Sequence, residues 1–369
     1  MIRVLHSVSN MDRAGIETML MNYYRHIDRT QVQFDFIVNK PKPGDYDDEI
    51  RSMGGRIFLS PGLNPLHYPA YLRFVQNIVA QDDRIKIVHA HNEAMGLYAL
   101  NGAKRAGIRV RIAHAHNTRI IRDYKWPLKM FCKHFLPGAA TDLWGCGRDA
   151  GIYFFGRENW EQRGMVLRNA IELSNFRFNA QIRQQMRTRY GLEGKTVLGH
   201  VGRFNVQKNH TRILEIFASY RKKDPNAILV FIGEGELQQQ MQEKAAQLGI
   251  AEQVLFAGLQ SNVNDWYQMM DFFLMPSLFE GLPVVGIEAQ AAGLPCLFSD
   301  AVPDEVLLSD RAVCFPLAAS DDDWAAQITR MLQPPFDRAQ GEAIVRAAGY
   351  DIEIEARRLQ SLYLAMSER

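Results

Sequence analysis

Long apolar runs are missing from this 369-residue chain. No stretch reaches the ~18 residues that a membrane-spanning helix needs. The opening MIRVLHSVSNMDRAG lacks the apolar core of a secretory leader, so a cytoplasmic protein is expected. Cysteine is scarce: Cys132, Cys146, Cys296 and Cys314 are irregularly spaced and form no CxxC pair. That excludes a disulfide framework and leaves reduced core thiols. Net charge is small, at +2, which removes any whole-chain argument for a nucleic-acid partner. Repeats and low-complexity tracts are also absent. What remains is an ordinary globular composition, 47% hydrophobic and 23% charged, long enough for two domains.

Short apolar runs alternate with amphipathic segments along the whole chain. Strands are expected at 1–8, 32–38, 55–59, 85–90, 110–114, 142–145 and 165–167, with helices at 15–27 and 70–80. A polar, weakly periodic stretch at 169–185 reads as a linker. The rhythm then restarts, with strands at 196–201, 227–232, 254–256, 272–275, 296–299 and 313–316. Helices fall between them at 211–220, 236–248, 263–270 and 283–292, then at 321–332 and 352–366. This predicts two doubly wound α/β domains with parallel sheets, over 1–170 and 171–351. Ligands of such sheets bind beyond the carboxyl ends of the strands, and a cleft between two such domains is the expected site.

Several constellations fall at those ends. In HVGRFNVQKNH, Arg203 and Lys208 flank a loop between a strand and a helix, and two cations there suit a diphosphate. Solvated surface cations are the plainer alternative. In FIGEGELQQQ, Gly233 and Gly235 follow a strand. The third glycine of a dinucleotide fingerprint is lacking, so a tight turn or a close approach to a nucleotide is all they indicate.

The most informative stretch is SLFEGLPVVGIEAQ. Gly281-Leu282-Pro283 interrupts it, Pro283 suits a first helical position, and the free amides of the turn that follows suit an anion. Glu280 precedes that turn and could accept hydroxyl hydrogen bonds. Glu288 lies about a turn and a half into the helix, among Val284, Val285, Ile287 and Ala289, where a solvent-facing acid is out of place; a ribose diol is a plausible partner.

VHAHN and AHAHN place His89, His91, His114 and His116 at two strand ends with i,i+2 spacing. Nothing completes a metal-ligand pattern, so core positions are expected for His89 and His114, with His91 or His116, last on their strands, projecting into the cleft. In TRIIRDYKWPLKMFCKHFLPG, residues 118–138, Arg119, Arg122, Lys125, Lys129 and Lys133 interleave with Ile120, Ile121, Tyr124, Trp126, Phe131 and Phe135. That pattern fits either a packed helix with a basic face or a segment lying on an anionic membrane surface.

Taken in order, GRFNVQKN, GEGE, FAG and PSLFEGLPVVGIEAQAAGLP resemble the family-4 type GT-B glycosyltransferases, retaining enzymes that use nucleotide sugars. FEGLPVVGIE is similar to their E-x7-E motif. The resemblance covers nearly the whole chain and is most specific in the second domain. RAGIET resembles the family's Gly-Gly-x-Glu loop, with Ala14 in place of the first glycine. By resemblance, Arg203 and Lys208 neutralise the donor diphosphate and Glu288 binds the ribose. Glu280 contacts the sugar, Gly233, Gly258 and the backbone of Gly281, Leu282, Pro283 and Val284 line the donor, Gly15 shapes the loop facing the phosphates, and His116 stands near the reacting centre. The final helix, 352–369, is expected to pack back on the first domain.

Implied too are a nucleotide-sugar donor, UDP-linked by preference, and a saccharide or polyprenyl-linked acceptor of capsule, exopolysaccharide or O-antigen assembly. No metal, cofactor or nucleic acid is expected. The location implied is cytoplasmic, peripheral at the inner face of the membrane. Two rivals share the sequence features: a nucleotide-sugar 2-epimerase, which would need no acceptor, and a catalytically idle assembly protein, which would bind no nucleotide sugar.

Overall fold

The computed structural model describes every residue except Ile121, Pro334 and Pro335. The chain divides into two units, Met1–Ile171 with Ile352–Arg369, and Glu172–Asp351. The first holds seven parallel strands: β1 (Ile2–Val8), β2 (Val32–Val38), β3 (Ile57–Leu59), β4 (Ile85–Ala90), β5 (Val110–Ala115), β6 (Asp142–Gly145) and β7 (Gly164–Val166), in the order β3-β2-β1-β4-β5-β6-β7. The second holds β8 (Val197–Val201), β9 (Ile228–Ile232), β10 (Val254–Phe256), β11 (Phe272–Met275), β12 (Cys296–Ser299) and β13 (Ala312–Phe315), in the order β10-β9-β8-β11-β12-β13.

Helices cover both faces of each sheet, so every residue of β2, β8 and β11 is buried, the polar Gln33 and Asp35 of β2 and His200 of β8 included. Each sheet reverses its strand order at one place, between β1 and β4 in the first unit and between β8 and β11 in the second. At those points the outgoing loops diverge and leave a crevice at the carboxyl ends. The helix Ile352–Ser367 belongs to the first unit, where buried Leu359, Tyr363 and Met366 join its core and Tyr363 stacks on Trp144 at 5.9 Å.

The expected linker at 169–185 is largely helical, with helices at Leu173–Phe176 and Ala180–Arg189. Apolar periodicity is weak there because guanidinium groups do the anchoring. The Asn179 side chain caps the second helix through the amides of Gln181 and Ile182. Arg183 and Arg187, one turn apart, both pair with Asp271 just before β11, and Arg187 also donates to Leu192 O at 2.8 Å. Helices Leu97–Arg105, Arg148–Phe155 and Arg157–Arg163 are likewise absent from the sequence reading.

Asp271 also accepts from the Val197 amide at 2.8 Å. Its replacement by Ala leaves two guanidinium groups without their acid. We expect Asp271→Ala to lower stability by on the order of 3 kcal/mol, read as a lower unfolding midpoint.

Candidate active site

The loops that leave β8 and β11 meet at the switch point of the second sheet. After β8 the chain forms a short 3-10 turn, Val206–Lys208, capped by Asn205, whose side chain accepts from the Lys208 amide at 3.1 Å. Asn209 then adopts a left-handed conformation, φ 54°, before helix His210–Arg221 begins. This turn places the Lys208 ammonium 2.7 Å from Glu280 Oε1, in the loop after β11. Gln207 Nε2 donates to the other carboxylate oxygen and to Phe279 O, each at 3.1 Å. The Leu278 amide donates to Gln207 O at 2.8 Å, so backbone as well as side chains joins the two loops. Side-chain exposure is 15% for Lys208 and 6% for Glu280, so each supplies most of the other's compensation. Sequence reasoning assigned these two residues to different parts of a ligand and passed over Gln207, although it lies in HVGRFNVQKNH.

Arg203 sits at the mouth of the same loop, with its side chain 73% exposed and 3.5 Å from Glu236. Gly233 and Gly235 serve the protein's own backbone first. Gly233 has φ 132°, and a Cβ there would lie 2.2 Å from Gly202 O; one on Gly235 would lie 2.4 Å from Phe204 O. The glycines let the loop after β9 lie against the loop after β8, with Phe204 N donating to Glu234 O at 3.0 Å. Gly258 accepts from the Gly233 amide at 2.9 Å and extends this packed set to the loop after β10.

The helix of the E-x7-E stretch runs Val284–Ala291. Pro283 is its N-cap rather than its first residue, and no side chain caps it, which leaves its first amides free to face a ligand. Gly281, Leu282 and Pro283 are buried and Val284 is half-buried. Glu288 lies on this helix, half-buried, and accepts a 2.9 Å hydrogen bond from the Tyr267 hydroxyl. Desolvation raises its carboxyl to about 7, against a smaller lowering by that bond. Tyr267, on helix Val263–Met269, was not picked out from the sequence, where it reads as one more apolar ring.

The first unit carries the remaining candidates. Gly15 opens helix Gly15–His26, and a Cβ there would meet nothing within 4 Å, so space alone does not require glycine. Its neighbour Glu17 is buried, and desolvation raises it to about 7. His116 follows β5 and is buried, and its Nε2 lies 3.0 Å from His91 Nδ1. His91 is the other of the two histidines expected to project. It is fully enclosed, because its Nε2 pairs at 3.0 Å with Nδ1 of His6, a residue on β1 that sequence spacing gave no reason to include. His89 lies between Tyr363 Oη at 2.7 Å and His114 Nδ1 at 3.2 Å. Burial lowers all five rings, His6 and His116 to about 3. Nitrogens of His6, His89 and His91, and of His91, His114 and His116, fall within 4.8 Å of one another, near enough for a metal ion, though several already pair with each other.

The part of segment 118–138 after Lys125 belongs to helix Trp126–Ala139, whose buried side is narrow: Cys132, Leu136 and Ala139. Phe131 and Phe135 are exposed, as is Tyr124 before the helix, while Ile120 is buried and Ile121 lies outside the described residues. Lys129 pairs with Asp123 at 2.7 Å, and Lys133 lies over the Tyr153 ring at 3.8 Å. Leu97, Tyr98, Leu128, Phe131, Cys132 and Phe135 line a mostly apolar cavity of about 570 Å³ there. Among the described residues, no helix is long and apolar enough to cross a membrane.

Two Rossmann-like units with polar groups gathered at the switch point of each sheet define a two-domain α/β enzyme. Residues 182–346 match the family described as Glycosyl transferases group 1, and residues 13–142 match Glycosyltransferase Family 4. The chain is 34% identical over 380 residues to EpsF of Bacillus subtilis (strain 168), covering 100% of this chain and 97% of that one. It therefore belongs to the family-4, group 1 glycosyltransferases. The Staphylococcus aureus capsular polysaccharide biosynthesis glycosyltransferase CapH is 23% identical over 99% of both chains. In structure, Anabaena Alr3699/HepE in complex with UDP aligns with a TM-score of 0.81 at 13% identity, over 99% of this chain and 100% of that one.

The raised Glu288 carboxyl has a consequence for stability. The folded chain holds this proton more tightly than the unfolded chain, whose ordinary value is 4.5. The group's favourable contribution is therefore full below about pH 4.5 and is lost as pH rises through about 7. We expect Glu288→Gln to gain stability relative to wild type between pH 5 and 8, by up to on the order of 3 kcal/mol, in paired denaturation curves.

Proposed function

We propose that this chain is a retaining glycosyltransferase that moves a sugar from a UDP-sugar to a saccharide or lipid-linked saccharide acceptor in the assembly of a bacterial surface polysaccharide. The observation that carries this reading is the pair of acids at the β8–β11 switch point, each already held in place, Glu280 by Lys208 and Gln207 and Glu288 by Tyr267, with an uncapped helix start between them. HepE, which shares the fold, is seen with UDP, and CapH is named for capsular polysaccharide; these support the donor and the pathway.

The arrangement suggests an exchange of partners. Without ligand, Glu280 compensates the Lys208 ammonium. An incoming diphosphate brings its own negative charge, draws Lys208 away, and frees Glu280 to accept hydroxyls of the donor sugar. Arg203, exposed at the loop mouth, closes on the same phosphates, and the free amides before Gly286 add fixed dipoles. Glu288 accepts from the ribose hydroxyls.

As the glycosidic bond breaks, charge grows on the leaving diphosphate, and these cations and amides stabilise it without reorganising. No metal is then required. The acceptor attacks on the face the diphosphate leaves, and a phosphate oxygen takes its proton, which retains the anomeric configuration. His116 and Gly15 are read as substrate-facing residues of the first unit. The exposed aromatic and basic surface of 118–138 rests on anionic lipid, placing the enzyme at the inner face of the membrane.

Two outcomes are expected. Lys208→Ala and Glu288→Ala, checked for folding, each lower sugar transfer from UDP-sugar by about 100-fold or more; wild-type turnover in both would remove the assigned roles. The intact chain co-sediments with phosphatidylserine vesicles, and binding weakens as salt rises. Equal binding at low and high salt would remove the electrostatic part of the membrane contact.

A further inference from the structure

His6, His91 and His116 form one file of rings joined by two hydrogen bonds of 3.0 Å, from His6 Nδ1 to His91 Nε2 and from His91 Nδ1 to His116 Nε2. Burial keeps all three neutral. A neutral imidazole has one N–H and one lone pair. Each bond in the file needs one proton between its two nitrogens, and His91 can supply only one of them. Only two proton arrangements therefore satisfy both bonds, one the reverse of the other.

The inner end of the file decides between them. His6 Nε2 is buried and has no hydrogen-bond partner. The ring lies among Phe34, Phe36 and Tyr363, at centroid distances of 4.3, 5.5 and 6.4 Å. In one arrangement this nitrogen carries a proton and buries an N–H with no acceptor. In the other it carries only a lone pair. An orphaned buried N–H is the rarer and costlier defect. The file therefore runs outward: His6 Nδ1–H donates to His91, and His91 Nδ1–H donates to His116 Nε2. The proton on His116 is then at Nδ1, the ring nitrogen that makes no hydrogen bond among the described residues. His114 stacks on His116 at 4.1 Å and holds the ring plane.

We propose that His6 and His91 are positioning residues that lock His116 in the neutral Nδ1–H tautomer, so that it meets substrate oxygen as a hydrogen-bond donor and not as a base. The role in transfer rests on the reading of His116 as a substrate-facing residue; the tautomer itself does not.

The test uses the full chain labelled with 15N-histidine. Long-range proton–nitrogen correlation at pH 7.5 distinguishes the two neutral tautomers and the cation. The expected result is Nδ1–H for His6, His91 and His116, with His116 losing its single tautomer in His6→Leu. A wild-type His116 that is Nε2–H or doubly protonated would overturn the lock, as would a stoichiometric transition metal on these rings in the purified protein.

In transfer assays, His116→Asn keeps an amide N–H near the Nδ1 position. It is expected to retain about tenfold more turnover than His116→Ala, with His116→Asp no better than Ala. Asn no better than Ala would overturn the donor role. Unchanged turnover in all three, beside the expected spectrum, would overturn the part His116 plays in transfer. If His6→Leu does not fold, the wild-type spectrum and the His116 series decide.

Discussion

A polar group taken out of water must be paired, and this constraint organises both units. Their parallel sheets are covered on both faces, so their inner strands are buried along their whole length. The groups of the candidate site gather at the carboxyl ends of the strands beside each switch point, where most are enclosed enough to need a partner. Lys208 answers Glu280, Tyr267 answers Glu288, and five histidines answer one another and Tyr363. A resting site whose charged groups are paired is stable without ligand. It is also poised, because a ligand that offers better partners can replace them.

Buried charge alone is not a mark of function here. Asp35 is fully buried between Arg3 and Arg56, both at 2.6 Å, and Arg56 also reaches Asp82 at 3.0 Å. Arg338 donates to the carbonyls of Tyr267, Gln268, Met270 and Ala292. These networks are complete in themselves and tie elements together. The site beside β8 and β11 differs in leaving Arg203 exposed and a helix start uncapped.

Much of this was legible in the sequence. Strands of continuous apolar residues gave the parallel sheets, and the resemblance in the second domain fixed the order of its motifs. Helices held by polar contacts were not legible: Ala180–Arg189 is anchored by Arg183 and Arg187 on Asp271, which leaves no apolar stripe to count. Within the site, spacing brought Glu280 and Glu288 forward but could not show who answers them. Gln207 and Tyr267 come from other elements, and His6 reaches the histidine file through sheet pairing 85 residues away from His91. The two glycines of GEGE also changed meaning, since the loop after β8 fills the space their missing side chains leave.

The central claim is that the β8–β11 switch point holds the donor through an exchange of partners at Lys208. A crystal structure of the chain with a bound, non-transferable UDP-sugar tests it most directly. The expected result is a diphosphate oxygen within hydrogen-bond distance of Lys208 Nζ, the Lys208–Glu280 contact of 2.7 Å opened, Glu280 on sugar hydroxyls and Glu288 on the ribose. A nucleotide bound away from both acids, with the Lys208–Glu280 pair unbroken, would contradict it.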